Sequence, residues 1–189
     1  MIRGARSRLP ATGEGHQRPA PDSWASVANE VIPVPRLGGD HARRALEMLR
    51  PAIVVLGGAP ILPPEILGIA RLGTLNAHPG LLPAYRGVDV LAWAILRGDP
   101  VGVTVHLADR GIDTGMICRT VAVDIHPGDN LERVRTRVEE VAGELMADVV
   151  AEALASGQID ASPQTSRAPL HRAMDAATRR AAEEQLRRR

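Results

Sequence analysis

Residues 52 to 56 form an unbroken apolar run, Ala-Ile-Val-Val-Leu, closed by Gly57-Gly58. A run this short, rich in β-branched side chains and stopped by glycine, predicts a strand buried on both faces. A short helix follows from Pro63-Pro64, where proline fits the first turn. A second buried strand, Gly73 to Asn76, comes next, and a helix over Asp89 to Arg97 follows a glycine- and proline-bearing loop. Strand, helix, strand, helix is the pattern of an α/β fold with a largely parallel sheet.

The flanking segments extend this pattern. Val31 to Val34 reads as a brief strand in which Pro33 favours an edge, and Asp40 opens a helix through Leu49. Val101 to Leu107 and Ile117 to Ile125 alternate apolar and polar residues, which predicts two half-covered strands paired antiparallel at an edge. Asp129 is the expected cap of the longest helix, whose stripe Leu131, Val134, Val138, Val141, Leu145 and Val149 faces the core. Residues 1–20 lack periodicity and read as a loose arm. A short helix capped at Asp22-Ser23 begins the globular part, residues 21–156. The remainder, 157–189, reads as a polar extension ending in a basic helix around Leu170 to Leu186 whose charged face is solvated.

Composition excludes several classes of function. All 23 basic residues are arginine, so no lysine nucleophile or Schiff base is available. A single cysteine, Cys118, rules out an internal disulfide and a cysteine-rich metal site, and the scattered histidines lack ligand spacing, so no metal is expected. The net charge of +1 offers no field for nucleic acid or a membrane surface. No apolar run approaches the roughly 18 residues of a span, and the N-terminus lacks a signal peptide's apolar core. A soluble, cytoplasmic protein is expected.

Two clusters carry the chemistry. In Asn76-Ala77-His78-Pro79-Gly80-Leu81-Leu82-Pro83-Ala84-Tyr85-Arg86-Gly87, the chain leaves the carboxyl end of a buried strand, the end at which ligands sit in open α/β sheets. Asn76 and His78 share a face, because strand side chains repeat every two residues. Asp109-Arg110-Gly111-Ile112-Asp113-Thr114-Gly115 lies between the two alternating strands, with Asp113 37 residues after Asn76. By itself this second cluster is an ordinary aspartate- and glycine-bearing turn. An amide, an imidazole and a carboxylate at strand ends, each beside glycine or proline, point beyond turn chemistry. His106, within an alternating strand, reads as a satisfied sheet histidine.

These segments together resemble the 10-formyltetrahydrofolate-dependent formyltransferases, which include the glycinamide ribonucleotide, methionyl-tRNA and nucleotide-sugar enzymes. The resemblance rests on Asn76, His78, Leu81-Leu82-Pro83, Gly87 and the Asp109 to Gly115 turn, and spans about residues 20 to 155. It implies a Rossmann-like sheet and transfer of a formyl group from 10-formyltetrahydrofolate to the primary amine of a small-molecule acceptor. Such transfer passes through a tetrahedral carbon bearing an oxyanion, which needs hydrogen-bond donors and a proton route off the attacking nitrogen. By resemblance, Asn76 is the amide donor, His78 donates as imidazolium, and Asp113 favours that charged form and accepts the amine proton. The resemblance also implies that Gly58, Ala59, Ile61 and Leu62, with Gly111 and Ile112, wall the pterin pocket. Tyr85 and Arg86 are candidates to meet a phosphate or carboxylate of the acceptor. A formyltetrahydrofolate hydrolase, using the same residues with water as acceptor, and a non-catalytic folate-binding or assembly module are the alternatives.

The sequence departs from the family pattern in three places. The usual first strand, glycine-bearing loop and second strand are not recognisable before Asp22, so the fold is expected to be N-terminally truncated, with the gap closed by the arm or by a partner subunit in a homo-oligomer. That loop holds phosphate in glycinamide ribonucleotide enzymes. The methionyl-tRNA enzymes carry a further C-terminal barrel, so an amino sugar nucleotide or another small amine is the expected acceptor. Gly80 stands where the family's loop has serine.

Overall fold

The computed structural model describes residues 28–188 together with the strand Ile2–Gly4. The rest of the expected arm, and residues 22–27 of the expected first helix, lie outside the described residues; residues 28–30 are not helical. The elements are β1 (Ile2–Gly4), β2 (Ile32–Val34), α1 (Asp40–Leu49), β3 (Ile53–Leu56), α2 (Pro64–Leu67), β4 (Gly73–His78), β5 (Arg86–Gly87), α3 (Val90–Arg97), β6 (Val101–Leu107), β7 (Ile117–Val123), α4 (Leu131–Ser156), β8 (Leu170–His171) and α5 (Ala176–Arg187).

The fold is α/β, and three of its five strand pairings are parallel: β1 with β2, β3 with β4, and β5 with β8. The principal sheet has the order β3-β4-β6-β7, with β6 antiparallel to both neighbours. β6 and β7 thus form the expected antiparallel pair, with β7 at the edge. The expectation of half-covered strands fails for β6. It lies between β4 and β7, and six of its seven residues are buried because the sheet has neighbours on both sides and α4 packs across it. β3 fails in the other direction, since Val55 is 48% exposed where burial on both faces was expected. Among the described residues β3 is the opposite edge of this sheet, so half of its environment is open.

α4 follows the expected stripe, burying Leu131, Val134, Val138, Leu145 and Val149. Its cap is Asn130, not Asp129: the Asn130 side chain accepts from Arg133 N–H at 2.8 Å, worth about 1 kcal/mol. Asp129 turns inward and accepts from His126 N–H and from the Arg137 guanidinium. The principal core gathers Leu75, Ile95, Val103, Val105, Val134 and Val138 between sheet and helices. Burying each such side chain stabilises the fold by roughly 1.5–3 kcal/mol. A smaller cluster of Val34, Ala42, Leu46, Leu62 and Ile66 joins β2, α1 and α2.

The C-terminal segment folds back onto the domain. Ser162 and Ile117 exchange two backbone hydrogen bonds of 2.8 Å, β8 pairs with β5, and α5 packs on α3 with Ala182 and Leu186 in the principal core. The basic helix is therefore shorter than expected, and its apolar face is buried. No helix among the described residues is long and apolar enough to cross a membrane.

Candidate active site

Asn76 and His78 occupy alternate positions at the end of β4, and antiparallel pairing places His106 of β6 directly opposite Asn76. Opposite residues in such a pair are close enough for their side chains to interact. Asn76 Nδ2 lies 3.2 Å from His106 Nε2. His106 Nδ1 lies 2.8 Å from the Leu107 carbonyl, which only a donor can satisfy, so in the neutral ring Nδ1 carries the hydrogen and Nε2 accepts from the Asn76 amide. That orients the amide, and its second N–H has no partner among the described residues.

Asp113 enters from the turn after β6 with a left-handed backbone (φ 54°). Its Oδ2 accepts from Gly87 N–H at 2.8 Å and lies 3.5 Å from His78 Nδ1, while Oδ1 is 3.6 Å from His106 Nε2. His78 is 3% exposed and its Nε2 donates to the Tyr85 carbonyl at 2.7 Å. The turn is held internally by Asp109, whose Oδ1 accepts from Gly111 N–H and the Thr114 hydroxyl. Gly115 is required, because a Cβ there would overlap the Leu107 carbonyl oxygen.

Two opposing effects set the charges. Burial pushes His78 down, and the Asp113 charge and Tyr85 carbonyl only partly restore it, so its pKa lies below the ordinary 6.5. Burial pushes Asp113 up, but the nearby His106 and His78 rings and the Gly87 N–H together bring it below 3.8. At neutral pH a carboxylate faces a neutral imidazole. Asp113 does favour the charged ring, as expected, but burial outweighs it.

The structure brings Asn76, His78 and Asp113 together and adds His106, whose only sequence signal was its register opposite Asn76. It does not bring Tyr85 to a rim. Tyr85 is 5% exposed, stacked on His171 and hydrogen-bonded to Asp99. Arg86 is also buried, its Nε donating to Ile112 O at 3.0 Å and its Nη1 to Ala168 O at 3.3 Å, so it ties two chain segments together. A proline-stiffened turn places both side chains inward; Tyr85 packs on His171 of β8, while Arg86 also forms part of the wall of an open cleft.

An open cleft of about 1060 Å³ adjoins the Asp109–Gly115 turn. Its wall includes Leu67, Leu107, Met116, Gly111 and Gln164, and among the turn's residues Ile112 and Asp113 are absent from it. Of the residues expected to form a pterin pocket only Gly111 lines the cleft. Leu62 is buried in the smaller core cluster, Ile61 is 77% exposed, and Gly58 and Ala59 are also off the wall. Among the described residues no group of three or more His, Cys, Asp or Glu side chains is arranged to hold a metal ion.

The chain is similar to known proteins over most of its length. The chain is 37% identical over 133 residues to a methionyl-tRNA formyltransferase of Thermodesulfovibrio yellowstonii, a match covering 69% of this chain and 42% of that protein. It thus spans under half the length of that curated relative. The crystal structure of the formyltransferase PseJ from Anoxybacillus kamchatkensis, in complex with UDP-4,6-dideoxy-4-formamido-L-AltNAc and tetrahydrofolate, superposes with a TM-score of 0.64 at 27% identity, covering 79% of this chain and 78% of that one. Phosphoribosylglycinamide formyltransferase from Bacillus halodurans superposes at 0.53 with 31% identity, covering 61% and 64%. With the formyl transferase family model matching residues 22–150, most of the chain, the protein belongs to the formyl transferase family.

Proposed function

We propose that the protein transfers a formyl group from 10-formyltetrahydrofolate to the primary amine of a small-molecule acceptor. The observation that carries this reading is the convergence of Asn76, His78 and Asp113, with His78 Nδ1 3.5 Å from Asp113 Oδ2, at a turn whose other residues border an open cleft. The cleft suits a pterin: Leu67, Leu107 and Met116 offer apolar faces, and the chain from Ala108 to Gly111 runs along one side. The folate supplies the activated formyl carbon.

The chain's own residues divide the remaining work. The free N–H of Asn76 donates to the formyl oxygen as negative charge develops there. His78 Nδ1 is bare while the ring is neutral, because Nε2–H is committed to the Tyr85 carbonyl, so it can receive the proton leaving the attacking nitrogen. Asp113 is ionised and stabilises the imidazolium that results. His106 orients the Asn76 amide. Similarity to PseJ over nearly four fifths of both chains supports an amino group on a nucleotide-linked sugar as the acceptor class.

The test is tetrahydrofolate formation from 10-formyltetrahydrofolate in the presence of nucleotide-linked amino sugars, methionyl-tRNA or buffer alone. Faster formation with the amino sugars supports the reading. Stimulation by methionyl-tRNA alone contradicts the acceptor, and release independent of any amine identifies a hydrolase.

A further inference from the structure

The turn that carries Asp113 is held from outside by a residue beyond the 22–150 family match. Gln164 Nε2 lies 2.9 Å from the Asp113 carbonyl and 2.9 Å from the Gly115 carbonyl. A side-chain amide has two N–H donors on one nitrogen, and here each meets a backbone acceptor, which fixes the amide's orientation. Both carbonyls lie directly after the left-handed step at Asp113, a conformation that residues other than glycine adopt only when their surroundings enforce it. Gln164 is itself anchored, since Ser162, two residues earlier, exchanges both backbone hydrogen bonds with Ile117 at the start of β7. On the far side Arg86 donates to Ile112 O and to Ala168 O, closing the same C-terminal segment around the turn.

We infer that Gln164 is a positioning residue for Asp113, fixing the direction of its carboxylate toward His78 and His106. This rests on the reading of Asp113 as part of the reacting set. The internal hydrogen bonds that Asp109 accepts from Gly111 N–H and the Thr114 hydroxyl do not involve the Asp113 or Gly115 carbonyls. Without the Gln164 amide, neither of those carbonyls retains a side-chain partner among the described residues. The turn can then relax, lengthening the 2.8 Å bond from Gly87 N–H to Asp113 Oδ2. A displacement of about 1 Å at a reacting group costs on the order of a hundredfold in rate.

The experiment compares Gln164→Met, which keeps length and removes both donors, with Gln164→Glu, which replaces donors by acceptors. Each is characterised by steady-state kinetics and by carbon-13 NMR titration of the Asp113 carboxyl. The inference expects kcat to fall about ten- to a hundredfold in both variants, the folate KM to change less than threefold, and the Asp113 pKa to rise. A kcat within twofold of the parent and an unmoved Asp113 titration would overturn it. Loss of kcat with an unmoved titration would also overturn it, since the carboxylate would then be unaffected. The titration needs no turnover, so a parent protein without formyl transfer defeats the proposed function while the positioning of Asp113 is still tested. If Gln164→Glu fails to fold, the Met variant decides alone; if neither folds, Gln164→Asn, which retains both donors at shorter reach, takes their place under the same criteria.

Discussion

His78 Nδ1 lies 3.5 Å from Asp113 Oδ2, while the ring's other nitrogen is held 2.7 Å from the Tyr85 carbonyl. Because a carbonyl only accepts, the Nε2 hydrogen is not available for exchange at this position. Any proton the ring gains therefore appears on the nitrogen that faces the carboxylate. A backbone carbonyl seven residues along the chain thus decides which atom of the histidine can take up a proton.

The same geometry fixes how His78 titrates. Burial holds its pKa below 6.5, and the Asp113 charge opposes that shift. In Asp113→Asn the opposing charge is gone, so the His78 ring resonances should titrate at a still lower pH, and formyl transfer should fall by at least tenfold. Proton NMR of the two proteins measures the first effect. An unchanged or raised His78 pKa contradicts this arrangement.

Acid stability depends on a different carboxylate. The Arg137 hydrogen bond and His126 N–H hold Asp129 at about 2 against an ordinary 3.8. A depressed carboxylate stabilises the fold fully above its unfolded pKa and loses that contribution as pH falls through its folded value. Denaturation midpoints should therefore drop between pH 3.8 and about 2 in the parent, and the drop should be smaller in Asp129→Asn, which starts from a lower midpoint at neutral pH. Parallel curves for the two proteins would show that the Asp129–Arg137 pair is not responsible.

Gly115→Ala should be damaging. Its Cβ would overlap the Leu107 carbonyl oxygen, a backbone atom that cannot swing aside, so a stability loss of roughly 1–3 kcal/mol is expected, with displacement of the Asp113 turn. Urea denaturation measures the loss. A variant as stable as the parent would mean that the turn is looser than its contacts indicate.

Much of this arrangement was legible in the sequence because it is local. The two-residue spacing of Asn76 and His78 follows from strand geometry, and glycine and proline around both clusters marked fixed turns. Asp113 could be joined to them only through family resemblance, since 37 residues of intervening chain give no distance. His106 is the satisfied sheet histidine expected, and its contact with Asn76 comes from cross-strand register, which depends on how β6 pairs. Tyr85 and Arg86 were named as acceptor contacts on chemical type alone; pairing of β5 with β8, from the far end of the chain, buries both, though Arg86 still borders the cleft. Gln164 lay in a polar stretch with no periodicity, and only tertiary packing shows what its amide holds. The open edge at β3 is a property of the assembled sheet, which the apolar run of Ile53 to Leu56 does not reveal.

The most direct measurement is the rate of tetrahydrofolate formation from 10-formyltetrahydrofolate, with and without an amine acceptor, by the parent protein and by Asn76→Ala, each shown to be folded by a cooperative melt. Asn76 keeps an amide N–H without a partner among the described residues, placed to meet a developing oxyanion, so its loss should slow the amine-dependent rate by about 10²–10³. Equal rates in the two proteins, or no release by the folded parent with any amine, would contradict formyl transfer at this site.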